Sequence, residues 1–309
     1  MKIGLNTDSV AALSLVETLD LAAELDLDYV ELATGNWSSA PHLDLDRMLS
    51  DRAARDGLRS MLDDRDLRLS ALTCSGNPLH PGKQGEQHRA VTDKTIELAG
   101  LLDVHRVVIM SGLPGAPGDS TPNWVVVGWP PEATELLEWQ WTEKVIPYWT
   151  DLVARTRKVG DIKFCLELHP GQVVFNVPTL IRLRETVGDT VGANLDPSHL
   201  MWLGADPVAC AYALGEAVHH VHAKDTRIEP GMATRTALET ISLFAPNRQD
   251  RAWNYVTLGD GHDIEFWGRF CRALNEVGYN DVLSIEHEDT ATTPTEGVRT
   301  SVQLLRSVT

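Results

Sequence analysis

The fold of this chain is decided by four short apolar runs, Phe164-Cys165-Leu166-Glu167, Gly192-Ala193-Asn194-Leu195-Asp196, Val218-His219-His220-Val221-His222 and Val282-Leu283-Ser284-Ile285-Glu286. Each run is typical of a buried β-strand, and each ends in a carboxylate or an imidazole. Such a group costs free energy at the end of a buried strand unless a partner compensates it. Because the four runs follow one another along the chain, one bound cation is the simplest shared partner.

Strand and helix patterns alternate along the whole sequence. Four further strands are predicted over Lys2–Leu5, Tyr29–Leu32, Leu67–Leu72 and Arg106–Met110. Helices are predicted over Leu15–Leu25, Gln87–Leu102, Glu132–Val159, Pro178–Val187, Pro207–Leu214, Ile264–Val277 and Pro294–Val308. Pro147 must kink or break the third of these helices. This alternation of eight strands with helices predicts parallel strands with crossover helices.

Eight such units in 309 residues fit an α/β fold of the closed (β/α)8 barrel type better than an open doubly wound sheet. No Gly-x-Gly-x-x-Gly follows the first strand, which argues further against a dinucleotide-binding sheet. No linker or sharp repeat divides the sequence. We therefore predict a single barrel domain over residues 1–309.

Two connections between predicted elements are unusually long. Residues 111–131 follow the fourth strand and carry Trp124 and Trp129, and residues 226–262 follow the seventh strand and carry Arg227. In a barrel both would lie over the C-terminal mouth, where long loops are commonly functional. Their tryptophans are candidates for stacking on a sugar ring or for burying a subunit contact.

Composition excludes several classes of function. The chain has 27 basic and 44 acidic side chains, for a formal net charge of −17, so most of its surface repels nucleic acid and anionic lipid. No window approaches the roughly 18 apolar residues of a membrane helix, and no signal peptide is visible. The four cysteines are widely spaced and form no C-x-x-C pair, which is typical of reduced thiols in a cytoplasmic protein.

The polar residues at the strand ends should share one cavity, because barrel active sites form where the strands end. Residues two apart on a strand share a face, so His169 should accompany Glu167, Lys224 should accompany His222, and Glu288 should accompany Glu286. His287 should face away. Pro197-Ser198-His199 follows Asp196 and lets His199 fold back over the mouth.

The candidate metal ligands are three carboxylates and one imidazole, Glu167, Asp196, His222 and Glu286. This oxygen-rich set favours a single divalent ion, with Mn²⁺ as the first choice and Mg²⁺, Co²⁺ or Zn²⁺ as alternatives. Two open positions would accept neighbouring oxygens of a keto sugar, and the metal would stabilise an enediolate. Glu167 and Glu286 are the candidate bases. A single buried acid or histidine is more often an ion-pair partner, but four on consecutive strands favour a metal.

Other polar residues have less support from their context. His80 lies just beyond the third strand and could reach the mouth, and Glu31 ends the second strand, where it could bond a substrate hydroxyl or be a structural acid. The remaining histidines outside these motifs are expected to be structural or solvated: His42, His88, His105, His219 and His220.

The strand-end motifs resemble those of the xylose isomerase-like barrel superfamily. They read Leu166-Glu167-Leu168-His169-Pro170, Asn194-Leu195-Asp196-Pro197-Ser198-His199, Val221-His222-Ala223-Lys224-Asp225 and Ile285-Glu286-His287-Glu288. The nearest branch is the sugar phosphate isomerase/epimerase family, with ketose 3-epimerases and inosose dehydratases as relatives. Gly259-Asp260-Gly261-His262 resembles the family's glycine-rich segment after the seventh strand.

The resemblance implies one divalent metal on the four candidate ligands and a metal-dependent sugar isomerase or epimerase. It implies Glu167 and Glu286 as the pair that handles the proton, and His199 as a substrate contact. We add His169 to the catalytic residues. The expected substrate contacts are then His199, Lys224, Glu31, His80 and Arg227.

Three other functions are alternatives to this one. A lyase of the C-glycoside deglycosidase type would cleave a 3-keto C- or O-glycoside by β-elimination, together with a small β-rich subunit. A DNA-repair enzyme like endonuclease IV would need histidine ligands from the third and fourth strands, which end in Thr73-Cys74-Ser75 and Met110-Ser111. A non-catalytic barrel scaffold would be expected to lack at least one ligand.

The expected partner is a neutral sugar or keto sugar, because no P-loop or other phosphate site is evident. The resemblance also implies a homo-oligomer or an assembly with a small β subunit. Neither a nucleic acid nor a membrane is expected to bind.

Overall fold

The structure of the protein is a computed structural model that describes residues 1–238, 245 and 247–309. The long connection expected over 226–262 therefore lies partly outside the described residues, at positions 239–244 and 246.

In the described part of the chain, eight parallel strands close into a barrel and two more strands form a separate pair. The strands are β1 (Lys2–Asn6), β2 (Tyr29–Ala33), β3 (Arg68–Thr73), β4 (Arg106–Ile109), β5 (Lys163–Glu167), β6 (Val191–Asn194), β7 (Val218–Ala223), β8 (Asp225–Ile228), β9 (Trp253–Val256) and β10 (Val282–Ile285). The barrel order is β1-β10-β7-β6-β5-β4-β3-β2. Strand β1 pairs in parallel with both β2 and β10, which closes the sheet. The predicted (β/α)8 barrel and all eight predicted barrel strands are confirmed.

Helices cover the outside of the barrel. Over the same described residues they are α1 (Leu15–Glu24), α2 (Leu45–Ser50), α3 (Arg52–Asp63), α4 (Lys83–Leu102), α5 (Pro131–Gln140), α6 (Ile146–Thr156), α7 (Val177–Val187), α8 (Pro197–Leu203), α9 (Pro207–Leu214), α10 (Ile264–Glu276) and α11 (Pro294–Val308). The sequence did not predict α2, α3 or α8. Pro147 does not end the helical segment. A π-helical turn over Trp141–Val145 joins α5 to α6 just before this proline.

Alternation along β5 separates two cores. The ring of Phe164 packs at 5.4 Å from Trp149 of α6, in the large core between strands and helices. Cys165, one residue on, belongs to a small interior cluster with Ala71 and Val108. Small side chains therefore fill this part of the barrel, and the same inward face carries Glu167 at the mouth.

The long segment after β7 contains an antiparallel strand pair, β8 with β9, that the sequence did not predict. The carboxylate of Asp225 accepts hydrogen bonds from the backbone N–H groups of Gly259, Gly261 and His262, which ties the end of the segment to its start. Gly259 has φ +101°, and a Cβ at Gly261 would overlap the backbone of Thr226, so the glycines permit this turn.

The tryptophans of the two long segments differ in exposure. Trp253 stacks on Trp202 with centroids 4.5 Å apart, and both rings are buried. Trp124 packs edge-on against Phe175 at 5.4 Å, whereas Trp129 is 74% exposed. Whether any of them binds a sugar or a second subunit stays a prediction, although Trp253 has no open face for stacking.

All four cysteines are free thiols, and three of them are buried, as the sequence indicated. Across the described residues, none of the helices has both the length and the apolar character needed to cross a membrane.

Candidate metal centre

The four predicted metal ligands lie at the C-terminal ends of β5, β6, β7 and β10. Asp196, His222 and Glu286 form one group in which a ligand atom from each lies within 4.8 Å of the others. Glu167 does not join this group. Glu167 lies instead in a second group, with His169 and His199, whose ligand atoms also lie within 4.8 Å of one another.

His199 joins the two groups. Its Nε2 lies 2.8 Å from Oε1 of Glu167 and 3.1 Å from Oδ2 of Asp196. Helix α8 places it there, because Asp196 caps this helix by accepting a hydrogen bond from the N–H of Ser198 at 2.8 Å. His199 thus folds back over the mouth, and it bridges two of the predicted ligands.

Two ligand atoms fit a bound cation by their chemistry. Oδ2 of Asp196 and Nδ1 of His222 are buried and make no well-aligned hydrogen bond among the described residues, although they lie 3.1 Å from Nε2 of His199 and 3.3 Å from Oε2 of Glu286. Buried acceptors without partners are rare and costly in folded proteins. A carboxylate oxygen and an imidazole nitrogen, beside a second carboxylate, are a donor set that divalent ions accept. The residues present therefore fit a metal ion.

Lys224 provides positive charge at the same site. Its Nζ lies 3.0 Å from Oε2 of Glu286 and 2.7 Å from Oε2 of Glu288, and 4.2 Å from the ring centroid of Tyr255. Burial alone would lower the pKa of Lys224, but the Glu286 and Glu288 carboxylates hold it well above its ordinary value. A metal ion would have to share Glu286 with this ammonium.

His169 and His199, the two histidines of the second group, differ in protonation because of burial and neighbouring charge. Burial lowers the pKa of His169 to about 4, with His199 adding to the effect, so this imidazole is neutral. Burial alone would also lower the pKa of His199, but Asp196 and Glu167 raise it to about 9. His199 is therefore a cation between two carboxylates, with its ring centroid 4.3 Å from that of His169.

Tyr255 of β9 is a site residue that the sequence did not identify. Its hydroxyl lies 2.9 Å from Nδ1 of His199. No local pattern marks Tyr255, because its position depends on the pairing of β9 with β8.

Glu31 lies inside the barrel and is fully buried. Both of its carboxylate oxygens accept hydrogen bonds from side chains of β3, β7 and β10. This geometry does not favour the expected contact with a substrate hydroxyl and instead matches the structural role that the sequence left open. His220, expected to be structural or solvated, is one of the buried donors.

Two expected substrate contacts, His80 and Arg227, bond to residues outside the ligand groups. Nδ1 of His80 accepts the N–H of Gly82 at 3.0 Å, beyond the end of β3. Arg227 pairs with Glu229 at 2.7 Å, and its side chain is 44% exposed. Their roles in binding substrate stay predictions.

Comparison with known proteins gives a family. Residues 19–308 match the model of a family described as xylose isomerase-like TIM barrel. The chain is 47% identical over 310 residues to the uncharacterized protein YfiH of Bacillus subtilis (strain 168), covering 99% of this chain and 98% of that protein.

Solved structures share the fold. A structure of IolI protein with a binding zinc atom matches with a TM-score of 0.68 and 19% identity, over 100% of this chain and 99% of that one. A D-tagatose 3-epimerase-like protein matches with a TM-score of 0.64 and 19% identity, over 100% and 98% of the two chains. Together with the match over most of its length, these findings show that the chain belongs to the xylose isomerase-like TIM barrel family.

Proposed function

We propose that the protein is a divalent-metal-dependent isomerase or epimerase that acts on a ketose or keto sugar. The observation that carries this proposal is the convergence of Asp196, His222 and Glu286 at the barrel mouth, with Glu167 linked to Asp196 through His199. Membership in the xylose isomerase-like TIM barrel family supports it, and so does the fold shared with an epimerase-like protein and with a zinc-bound protein.

Asp196, His222 and Glu286 would hold the metal, with Glu167 as the fourth ligand that the sequence predicts. When bound, a divalent cation there would polarise a substrate carbonyl as a Lewis acid. The oxygen-rich donor set favours Mn²⁺, while a zinc-bound structural relative keeps Zn²⁺ in consideration.

Glu167 and Glu286 are positioned to handle the proton. Because His199 contacts Oε1 of Glu167, the lone pairs of the second oxygen would serve both the metal and the substrate C–H next to the carbonyl. Transfer of that proton to the neighbouring carbon, with the hydroxyl proton moving between the two oxygens, gives an isomer. An epimer forms when Glu167 keeps the abstracted proton and Glu286, in its protonated form, delivers another to the opposite face of the same carbon.

Lys224 supports a second candidate, β-elimination from a 3-keto glycoside. This reaction shares the proton abstraction and then needs a donor for the leaving group. The buried ammonium of Lys224, held between Glu286 and Glu288, is such a donor. A homo-oligomer, a small partner subunit and a cytoplasmic location stay predictions.

The test is incubation with ketoses and 3-keto glucosides in D₂O, with Mn²⁺ or after removal of metal by a chelator. We expect deuterium at the carbon next to the carbonyl only when metal is present. Epimer or isomer products support the first candidate, and release of the aglycone supports elimination.

Glu286→Gln and Glu288→Gln form a matched pair for this test, because both carboxylates contact Lys224 but only Glu286 belongs to the ligand group. We expect Glu286→Gln to abolish exchange and to weaken metal binding, while Glu288→Gln keeps the metal. A wild-type protein that binds no metal and exchanges no deuterium with any of these sugars would contradict the proposal and favour a scaffold.

A further inference from the structure

A layer of polar side chains crosses the barrel interior beneath the metal ligands, with the carboxylate of Glu31 at its centre. Nε2 of His220 lies 2.8 Å from Oε2 of Glu31, and Nε2 of His222 lies 3.0 and 3.2 Å from its two oxygens. Oγ of Ser284 donates to Oε2 at 2.8 Å, and Oγ1 of Thr73 donates to Oε1. Glu31 is 0% exposed, so every partner of its charge belongs to the protein.

This group of one carboxylate and two imidazoles has the composition of a metal site, but it does not require a cation. An ionised carboxylate has about four acceptor positions. Four side chains already donate to Glu31, from β3, β7 and β10. A buried charge is tolerated when it is paired and hydrogen-bonded in this way. Glu31 therefore acts through the side chains that donate to it.

His222 differs from the other partners because its second nitrogen faces the metal ligands. Nδ1 of His222 lies 3.3 Å from Oε2 of Glu286 and has no hydrogen-bond partner of its own. A histidine that binds a metal through one nitrogen usually donates its other N–H to a carboxylate, which fixes its tautomer and its orientation.

We propose that Glu31 is a positioning residue that accepts the Nε2–H of His222 and thereby aims Nδ1 at the metal. This inference rests on the metal site proposed above. It makes Nδ1 the ligand atom of His222, and it extends the site from the mouth into the barrel interior.

His220 and Ser284 are partners of Glu31 that lie outside the group of predicted metal ligands. Both bond the same carboxylate, but the group formed by Asp196, His222 and Glu286 contains neither of them. Ser284→Ala therefore removes a donor to Glu31 without touching a ligand, and it is the matched control for Glu31→Gln.

The experiment measures Zn²⁺ and Mn²⁺ affinity and stoichiometry by calorimetry for the wild type, Glu31→Gln and Ser284→Ala, with circular dichroism to establish folding. We expect one ion per chain, affinity lower by about 10- to 100-fold in Glu31→Gln, and affinity within about threefold of wild type in Ser284→Ala. Imidazole ¹⁵N spectra of the Zn²⁺-loaded wild type should show a proton on Nε2 of His222 and the metal on Nδ1.

Equal metal affinity in a folded Glu31→Gln variant would overturn the inference, and so would a Nδ1–H signal from His222 in the loaded wild type. Two ions per chain would overturn it as well, by making the Glu31 group a second metal site. If Glu31→Gln does not fold, the imidazole ¹⁵N spectra of the Zn²⁺-loaded wild type test the inference, because they show which nitrogen of His222 carries the proton. Absence of any bound ion in the wild type would instead contradict the proposed function.

Discussion

The hydroxyl of Tyr255 lies 2.9 Å from Nδ1 of His199, and it connects the strand pair β8–β9 to the residues at the barrel mouth. Because Nε2 of the same imidazole contacts Glu167 and Asp196, the hydrogen bond to Tyr255 helps to fix the ring between the two carboxylates. A segment outside the barrel strands thus completes the candidate site.

Tyr255→Phe should lower both stability and proton exchange. The substitution keeps the ring beneath Lys224 but leaves the buried Nδ1 of His199 without its partner, which costs about 1–3 kcal/mol of unfolding free energy. Less exact placement of Glu167 should slow deuterium exchange by about tenfold or more. Urea unfolding and exchange in D₂O measure the two effects.

Tyr212→Phe is the control for the loss of a tyrosine hydroxyl. Its hydroxyl likewise contacts a single side chain, donating to Glu276 at 2.6 Å, but the pair is exposed. We expect a change within about 0.5 kcal/mol and unchanged exchange. Equal effects of the two substitutions would refute the role assigned to Tyr255.

Asp196→Asn should remove the stabilisation that metal ions provide. A metal that binds only the folded state adds about 2.7 kcal/mol at a hundred times its Kd. Asparagine caps a helix as well as aspartate does, so α8 should persist while the charge on Oδ2 is lost. We expect the melting temperature of the wild type to rise with Mn²⁺ and that of Asp196→Asn to stay constant.

Asp206→Asn separates capping from metal binding. Asp206 also precedes a proline, and it caps α9 by accepting the N–H of Val208 at 2.9 Å, as Asp196 does for α8. Its side chain has no place in the ligand groups found among the described residues. The Mn²⁺-induced shift of this variant should match the wild type, and an equal shift in Asp196→Asn would remove Asp196 from the ligand set.

The sequence predicts the barrel and its ligand-bearing strand ends because both signals are local. An apolar run followed by Glu167 or Glu286 indicates both the end of the strand and the side chain that faces the barrel mouth. The role of Glu31 could not be predicted, since its donors come from strands far apart in the sequence. Helix α8 could not be predicted, because its first six residues, 197–202, are all buried and give no helical periodicity. Tyr255 was missed because the pairing of β8 and β9 is non-local.

His219 predicts a pH dependence of stability at the opposite end of β7. Burial lowers its pKa to about 4, against about 6.5 in an unfolded chain. As the pH falls from about 6.5 towards 4, the unfolded chain takes up this proton before the folded one, so acid reduces stability. The unfolding free energy of His219→Gln minus that of the wild type should therefore rise as the pH is lowered from 7 to 4.5, by on the order of 2 kcal/mol.

Urea unfolding at several pH values measures this difference. His105→Gln removes an exposed histidine at the same end of the barrel and is the control for the loss of an imidazole. A His219→Gln curve parallel to that of the wild type would show that this imidazole takes up its proton equally in the folded and unfolded states.

Gly297→Ala should destabilise the protein and disturb Glu286. A Cβ at this position in α11 would overlap the ring of His287, which packs there on the side away from the metal ligands. Overpacking of this kind costs about 1–3 kcal/mol. Because His287 follows Glu286 directly, displacement of its ring should also weaken Mn²⁺ binding.

Gly57→Ala, in α3 with no atom near the new Cβ, should instead stabilise by about 0.5–1 kcal/mol. If urea unfolding shows the same sign of change for both variants, the contact between α11 and His287 does not constrain the site.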